Sequence, residues 1–153
     1  MTPKQYLDTL PEDRKEIISK LREYILKSDP LVKEVVARMM GSEMLVYNQG
    51  DIMKYALSSV KQHMSFHSMV LYGSSTRFGR GGLRERYEKL LPLATFQKGC
   101  INFKNAIQLP LDIAEELIKD MAKCEYPPAQ FKESMEKSAA KLRAKKKKLS
   151  GQQ

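Results

Sequence analysis

Only two cysteines and two histidines occur among the 153 residues, and their scarcity removes several classes of chemistry. Cys100 and Cys124 lie far apart, form no C-x-x-C pair and offer no thiol set for zinc, so both are expected as reduced core residues in a thiol-reducing compartment. Long apolar runs are missing too. Nothing approaches the roughly 18 residues of a membrane-spanning helix, and Met1 to Leu10 lacks the basic-then-apolar layout of a secretory signal, which makes the expected location cytoplasmic. Catalytic signatures are equally scarce. There is no G-K-[ST] phosphate loop, no G-x-G-x-x-G between a strand and a helix, and no nucleophile elbow, so neither an enzyme nor a cofactor is expected.

What is present is ordinary in bulk and uneven in placement. Apolar residues make up 42% and charged residues 29%, close to globular averages, so the chain folds, and its length suits one core. The net charge of +9 is concentrated. From Lys137 to Lys148 the chain carries Lys137, Lys141, Arg143, Lys145, Lys146, Lys147 and Lys148 and no acidic residue, which leaves the rest nearly neutral. Tyr126-Pro127-Pro128 breaks the chain just before this segment. The expected organisation is therefore a body over residues 1–126 and a basic helical tail over 127–153.

Local patterns predict the elements in turn. Thr2-Pro3-Lys4-Gln5 has the form of a capped helix start, and Thr9-Leu10-Pro11-Glu12 repeats it ahead of Ile17, Ile18, Leu21, Ile25 and Leu26 at helical spacing. Asp29-Pro30 ends that helix and is expected to begin another, with Val32, Val35, Val36, Met39 and Met40 as its stripe. After Gly41 the period turns extended, predicting strands at Met44 to Tyr47, Ile52 to Val60 and His63 to Leu71. Gly73 to Gly82 reads as a mobile surface loop, Leu83 to Leu91 as a short helix and Lys98 to Lys104 as a fourth strand. Pro110 to Cys124 reads as a helix. In the tail, Phe131, Met135, Ala139 and Leu142 recur at helical steps, with Lys145 to Lys148 expected to fray and Ser150 to Gln153 to be disordered. The fold class is α+β: an antiparallel sheet of about four strands packed with helices from both chain ends, plus a basic C-terminal helix.

Few residue groups can carry chemistry. His63 and His67 would share a metal on a helix, but on a strand they stand about 13 Å apart and cannot chelate one ion unaided. No metal site is expected. Ser65 beside them is the one obvious nucleophile near a base, yet shared strand parity alone explains the grouping. Gly73 to Gly82, with Arg77, Arg80 and Arg84, presents glycines before a helix but lacks a phosphate-loop ending. The basic tail is the strongest signal. Lys141, Arg143, Lys145, Lys146, Lys147 and Lys148 are candidate contacts for a polyanion such as nucleic acid, with docking of the helix on its own body as the structural alternative.

Leu10-Pro11-Glu12-Asp13-Arg14, Ser28-Asp29-Pro30, His63, Lys98-Gly99 and Leu109-Pro110-Leu111-Asp112 occur in an order that resembles the YdhG-like family of small bacterial domains, over roughly Thr2 to Cys124. The resemblance implies a non-enzymatic binding or accessory role. One family member is described as an intracellular iron chaperone, which is a further implication. It points to His63 and Lys98 as ligand-facing residues, joined by Tyr47 and Tyr55 from neighbouring strands, with an unknown small ligand or protein as partner. The chain departs from the family pattern at Gly41-Ser42-Glu43, in the enlarged loop from Gly73 and in the basic tail.

Overall fold

At the amino end the expected cap forms. In the computed structural model, which describes residues 1–73, 82–127 and 129–151, the Thr2 hydroxyl accepts from the Gln5 amide at 3.1 Å while the Gln5 side chain accepts from the Thr2 amide at 2.8 Å. This starts α1 (Pro3–Asp8). The second start differs from expectation. Pro11, not Thr9, occupies the cap position of α2 (Glu12–Ser28), without a side-chain cap bond. Thr9 closes α1 instead, its hydroxyl donating to the Tyr6 carbonyl at 2.6 Å. Glu12 and Asp13 then place negative charge on the positive end of α2, and Ile17, Ile18, Leu21 and Ile25 form its buried stripe, with Leu26 outside it.

The segment expected as a third helix is a strand. β1 (Lys33–Met39) pairs antiparallel with β2 (Ser42–Gln49), which pairs with β3 (Ile52–Ser59), which pairs with β4 (Met64–Ser68). Asp29 is not a helix cap here. It ends α2, and its carboxylate accepts from the Leu31 amide in a tight turn. The β-branched Val35 and Val36 suit a pleated surface better than a helix. β4 stops at Ser68, where α3 (Met69–Gly73) begins, so the strand expected to Leu71 is shorter.

The chain returns as α4 (Leu83–Leu90), β5 (Thr95–Gln97), β6 (Cys100–Phe103), α5 (Leu111–Ala122) and α6 (Ala129–Gly151). The sheet has six strands rather than about four, in the order β1-β2-β3-β4-β6-β5. The extra strands are β1 and the three-residue β5. The loop expected from Gly73 to Gly82 lies, over residues 74–81, outside the described residues, as do Gln152 and Gln153. Lys145 to Lys148 do not fray but continue α6 through Ser150, whose hydroxyl donates to the Lys146 carbonyl at 2.9 Å. No helix among the described residues is long and apolar enough to cross a membrane.

One sheet face carries the core. Ile18, Leu21 and Ile25 of α2 and Leu117, Ile118 and Met121 of α5 meet Leu45, Leu57, Phe66 and Ile101, each large side chain contributing about 1.5–3 kcal/mol on burial. A bulge interrupts β3: Tyr47 pairs with Tyr55 and Asn48 with Met53, which leaves Lys54 as the extra residue. The extra residue re-aims its side chain. Lys54 therefore lies with Tyr55 on the core side, where both reach Asp29.

Candidate functional site

The four residues that the resemblance implies as a ligand surface do not gather in one place. Tyr47 and Tyr55 are fully buried on the helix-covered face. Their hydroxyls donate to Glu34 and Asp29, each at 2.8 Å. Burial first, then those carboxylates, pushes both phenols far above the ordinary tyrosine range, so they stay protonated donors. Lys98 is exposed in the turn between β5 and β6 rather than in a strand, with φ +51°. His63 precedes β4 and is half-buried. It lines an open pocket of ≈ 420 Å³ with Thr95, Gln97, Asn102, Lys104 and Gln108.

What the sheet assembles is a polar row on the opposite face. Cross-strand register sets Ser58 opposite Ser65 and Ser65 opposite Asn102. One pair further along, His67 stands opposite Cys100, and Cys100 opposite Gln97. Ser65 donates to Asn102 at 2.6 Å and Asn102 donates to Gln97 at 3.0 Å. The His63 ring lies 3.2 Å from the Ser65 hydroxyl. His67 bridges two strands, with Nδ1 2.8 Å from Cys100 Sγ and Nε2 3.2 Å from Ser58 Oγ. Cys100 is thus a half-buried member of a polar row. Its pairing with His67 was invisible in the sequence, because β6 joins β4 without being next to it in the chain.

Burial, with a smaller contribution from His63, lowers the His67 pKa. The folded chain therefore resists a proton that the unfolded chain accepts. The associated stability is complete above the ordinary histidine pKa of about 6.5 and is lost as pH falls below it. The urea midpoint should drop between pH 7 and pH 5.5, and His67→Gln should flatten that part of the profile. An equally steep profile in the variant would assign the effect to other groups.

The tail candidates share one helix. Lys141, Arg143 and Lys145 to Lys148 are all exposed on α6. Arg143 forms an ion pair with Asp51 at the turn between β2 and β3, and Lys137 pairs with Glu133 at 3.0 Å within the helix. Among the described residues Lys141 and Lys145 to Lys148 make no ion pair. Leu142 is 58% exposed. The side chains of Phe131 and Met135, expected in the same stripe, lie outside the described residues. Among those residues no three His, Cys, Asp or Glu side chains stand where they would hold one metal ion.

Compared with models of known protein families, with curated proteins and with solved structures, the chain matches none.

Proposed function

We propose that this chain is a non-enzymatic binding protein of YdhG-like type, and that α6 engages the phosphates of a polyanion, nucleic acid in the first instance, without reading its sequence. The observation that carries this reading is the run Lys141 to Lys148, six exposed cations with a single acidic contact between Arg143 and Asp51. Uncompensated cations on one short segment raise the local positive potential and draw a phosphate backbone by releasing its condensed counterions. The Arg143 ion pair ties the helix to the β2–β3 turn, and four lysines follow it along the same helix.

Titration of a labelled duplex at several salt concentrations tests this. If roughly four phosphates are contacted, log K falls against log salt with a slope of about −4. Replacing Lys145, Lys146, Lys147 and Lys148 with glutamine should remove most of that slope and leave the unfolding transition unchanged, because all four are exposed. A slope indifferent to those substitutions defeats the proposal.

A second reading rests on the pocket beside His63, whose polar lining suits a small ligand held by hydrogen bonds. Such binding would be insensitive to salt and would survive loss of the tail cations. The iron-carrying role rests on the family resemblance alone.

A further inference from the structure

Cys100 stands opposite His67 across β6 and β4, while Ser58 lies diagonally from His67 on β3, beyond its register partner Ala56, and all three positions are fixed by the strand ladders rather than by a loop. Cys100 Sγ is 2.8 Å from His67 Nδ1, and His67 Nε2 is 3.2 Å from Ser58 Oγ. A thiol beside an imidazole whose other nitrogen is held by a third group is the arrangement that activates a nucleophile. We propose that Cys100 is a base-assisted thiol that exchanges with small disulfides, with His67 as its base and Ser58 as the positioning residue that holds the His67 ring.

Burial leaves both groups neutral at rest, so the thiol proton moves only as the sulfur attacks, against a thiol made less acidic and a ring made less basic. Burial pushes the Cys100 thiol up and the His67 imidazole down. At neutral pH the pair is a neutral S–H donor facing a neutral ring acceptor, the state a general base requires. With the thiol proton directed at Nδ1, Nε2 carries the other proton and donates it to Ser58 Oγ, an assignment made from the hydrogen-bond network. The groups facing the ring are Ser58 from β3, Cys100 from β6, with Gln97 of β5 next in the row, and His63 just before its own strand. Among the described residues no ion pair involves His67. Cys100 is only half-buried.

The step balances without a further reactant. His67 Nδ1 takes the thiol proton as Cys100 Sγ attacks one sulfur of the disulfide. The new S–S bond forms as the old one breaks, and the departing thiolate takes the proton back from His67. Cys100 is oxidised to the mixed disulfide, and the released half is reduced to a thiol. This chemistry owes nothing to α6.

Cys124 supplies an internal reference. It is also half-buried, but its thiol donates to the Asp120 carbonyl at 3.4 Å and has no imidazole beside it. The full chain is treated with 5,5′-dithiobis(2-nitrobenzoate) and, separately, with oxidised glutathione between pH 5.5 and 8.5, and the modified cysteine is identified by peptide mass. Cys100 should react at least about tenfold faster than Cys124 at pH 7, since a positioned base contributes on the order of 100-fold or more. Its rate should also hold up towards pH 6, where an unassisted thiol loses about tenfold per unit. His67→Gln should slow Cys100 about tenfold or more and restore the ordinary thiol pH dependence. Ser58→Ala should give a smaller loss, with Cys124 unchanged in both variants. Should either variant unfold, the wild-type profile still decides. A Cys100 rate that climbs tenfold per unit from pH 6 to 8, or that matches Cys124, overturns the proposal.

Discussion

Lys54→Ala should lower the unfolding free energy by about 3–5 kcal/mol, the range for stranding one charge of a buried pair. Lys54 is 1% exposed and Asp29 2%. The ammonium donates to Asp29 Oδ2 at 2.7 Å and to Gln49 Oε1 at 3.3 Å, and the Tyr55 hydroxyl donates to the same Asp29 oxygen. Its charge also sits 5.4 Å from the Tyr55 ring centroid and 5.5 Å from that of Tyr126. Asp29 closes α2, where a carboxylate faces the negative end of the helix dipole, so its charge depends on Lys54 all the more. Gln49 donates onward to the Tyr126 carbonyl at 2.9 Å. The pair thus joins the end of α2, the bulge in β3 and the segment leading to α6. Urea unfolding measures the loss. Lys54→Met combined with Asp29→Asn should recover most of it, because no unpaired charge then remains. A single-variant loss below about 1 kcal/mol would mean that water reaches the carboxylate.

Gly99→Ala should cost about 3 kcal/mol, the upper part of the range for overpacking. A Cβ at Gly99 would come 2.6 Å from the Ser68 carbonyl oxygen and 3.0 Å from Tyr72 Cβ. The Ser68 oxygen cannot retreat easily, since the Ser68 amide donates to the Gly99 carbonyl at 2.7 Å. Relief would have to open the junction between β4 and the turn into β6. The neighbouring Lys98 behaves in the opposite way. Its φ of +51° is left-handed, so Lys98→Gly relieves about 1 kcal/mol of backbone strain and gives up a similar amount in chain entropy, which leaves it near neutral. Thermal unfolding of the two variants should separate them widely. Equal shifts would refute the close-approach account of Gly99.

That contrast shows where sequence reasoning reached and where it stopped. Most of the helices were legible because caps and apolar periods are local: Thr2 with Gln5, Ile17 to Ile25, Pro110 ahead of Leu117 and Ile118; the five-residue α3 is too short to show a period and reads as the end of a strand. β1 was misread as a helix because Val32, Val35, Val36 and Met39 also satisfy three- and four-residue spacing, and only pairing with β2 distinguishes the two. β5, at three residues, is too short to carry a period. The exposed cations of α6 were legible from composition. The contact between His67 and Cys100 was not, because it depends on β6 settling beside β4. The resemblance points to Tyr47 and Tyr55 as ligand-facing side chains, but alternation alone does not say which sheet face the helices will cover. Lys98-Gly99 stood out as a pair, and the structure gives it a backbone explanation in a tight turn and a close approach.

The order β4-β6 means that Phe66 pairs with Ile101 across a long connection while the first four strands pair with their immediate neighbours. Closing such a connection costs entropy that grows only with the logarithm of its length, about 0.6 kcal/mol for each doubling. Residues added between β4 and β6 therefore weigh little against the contacts that the two strands make. Residues added within the short turns from β1 to β4 would disturb register directly. Descendants of this chain can vary in length between β4 and β6 far more freely than anywhere in the meander.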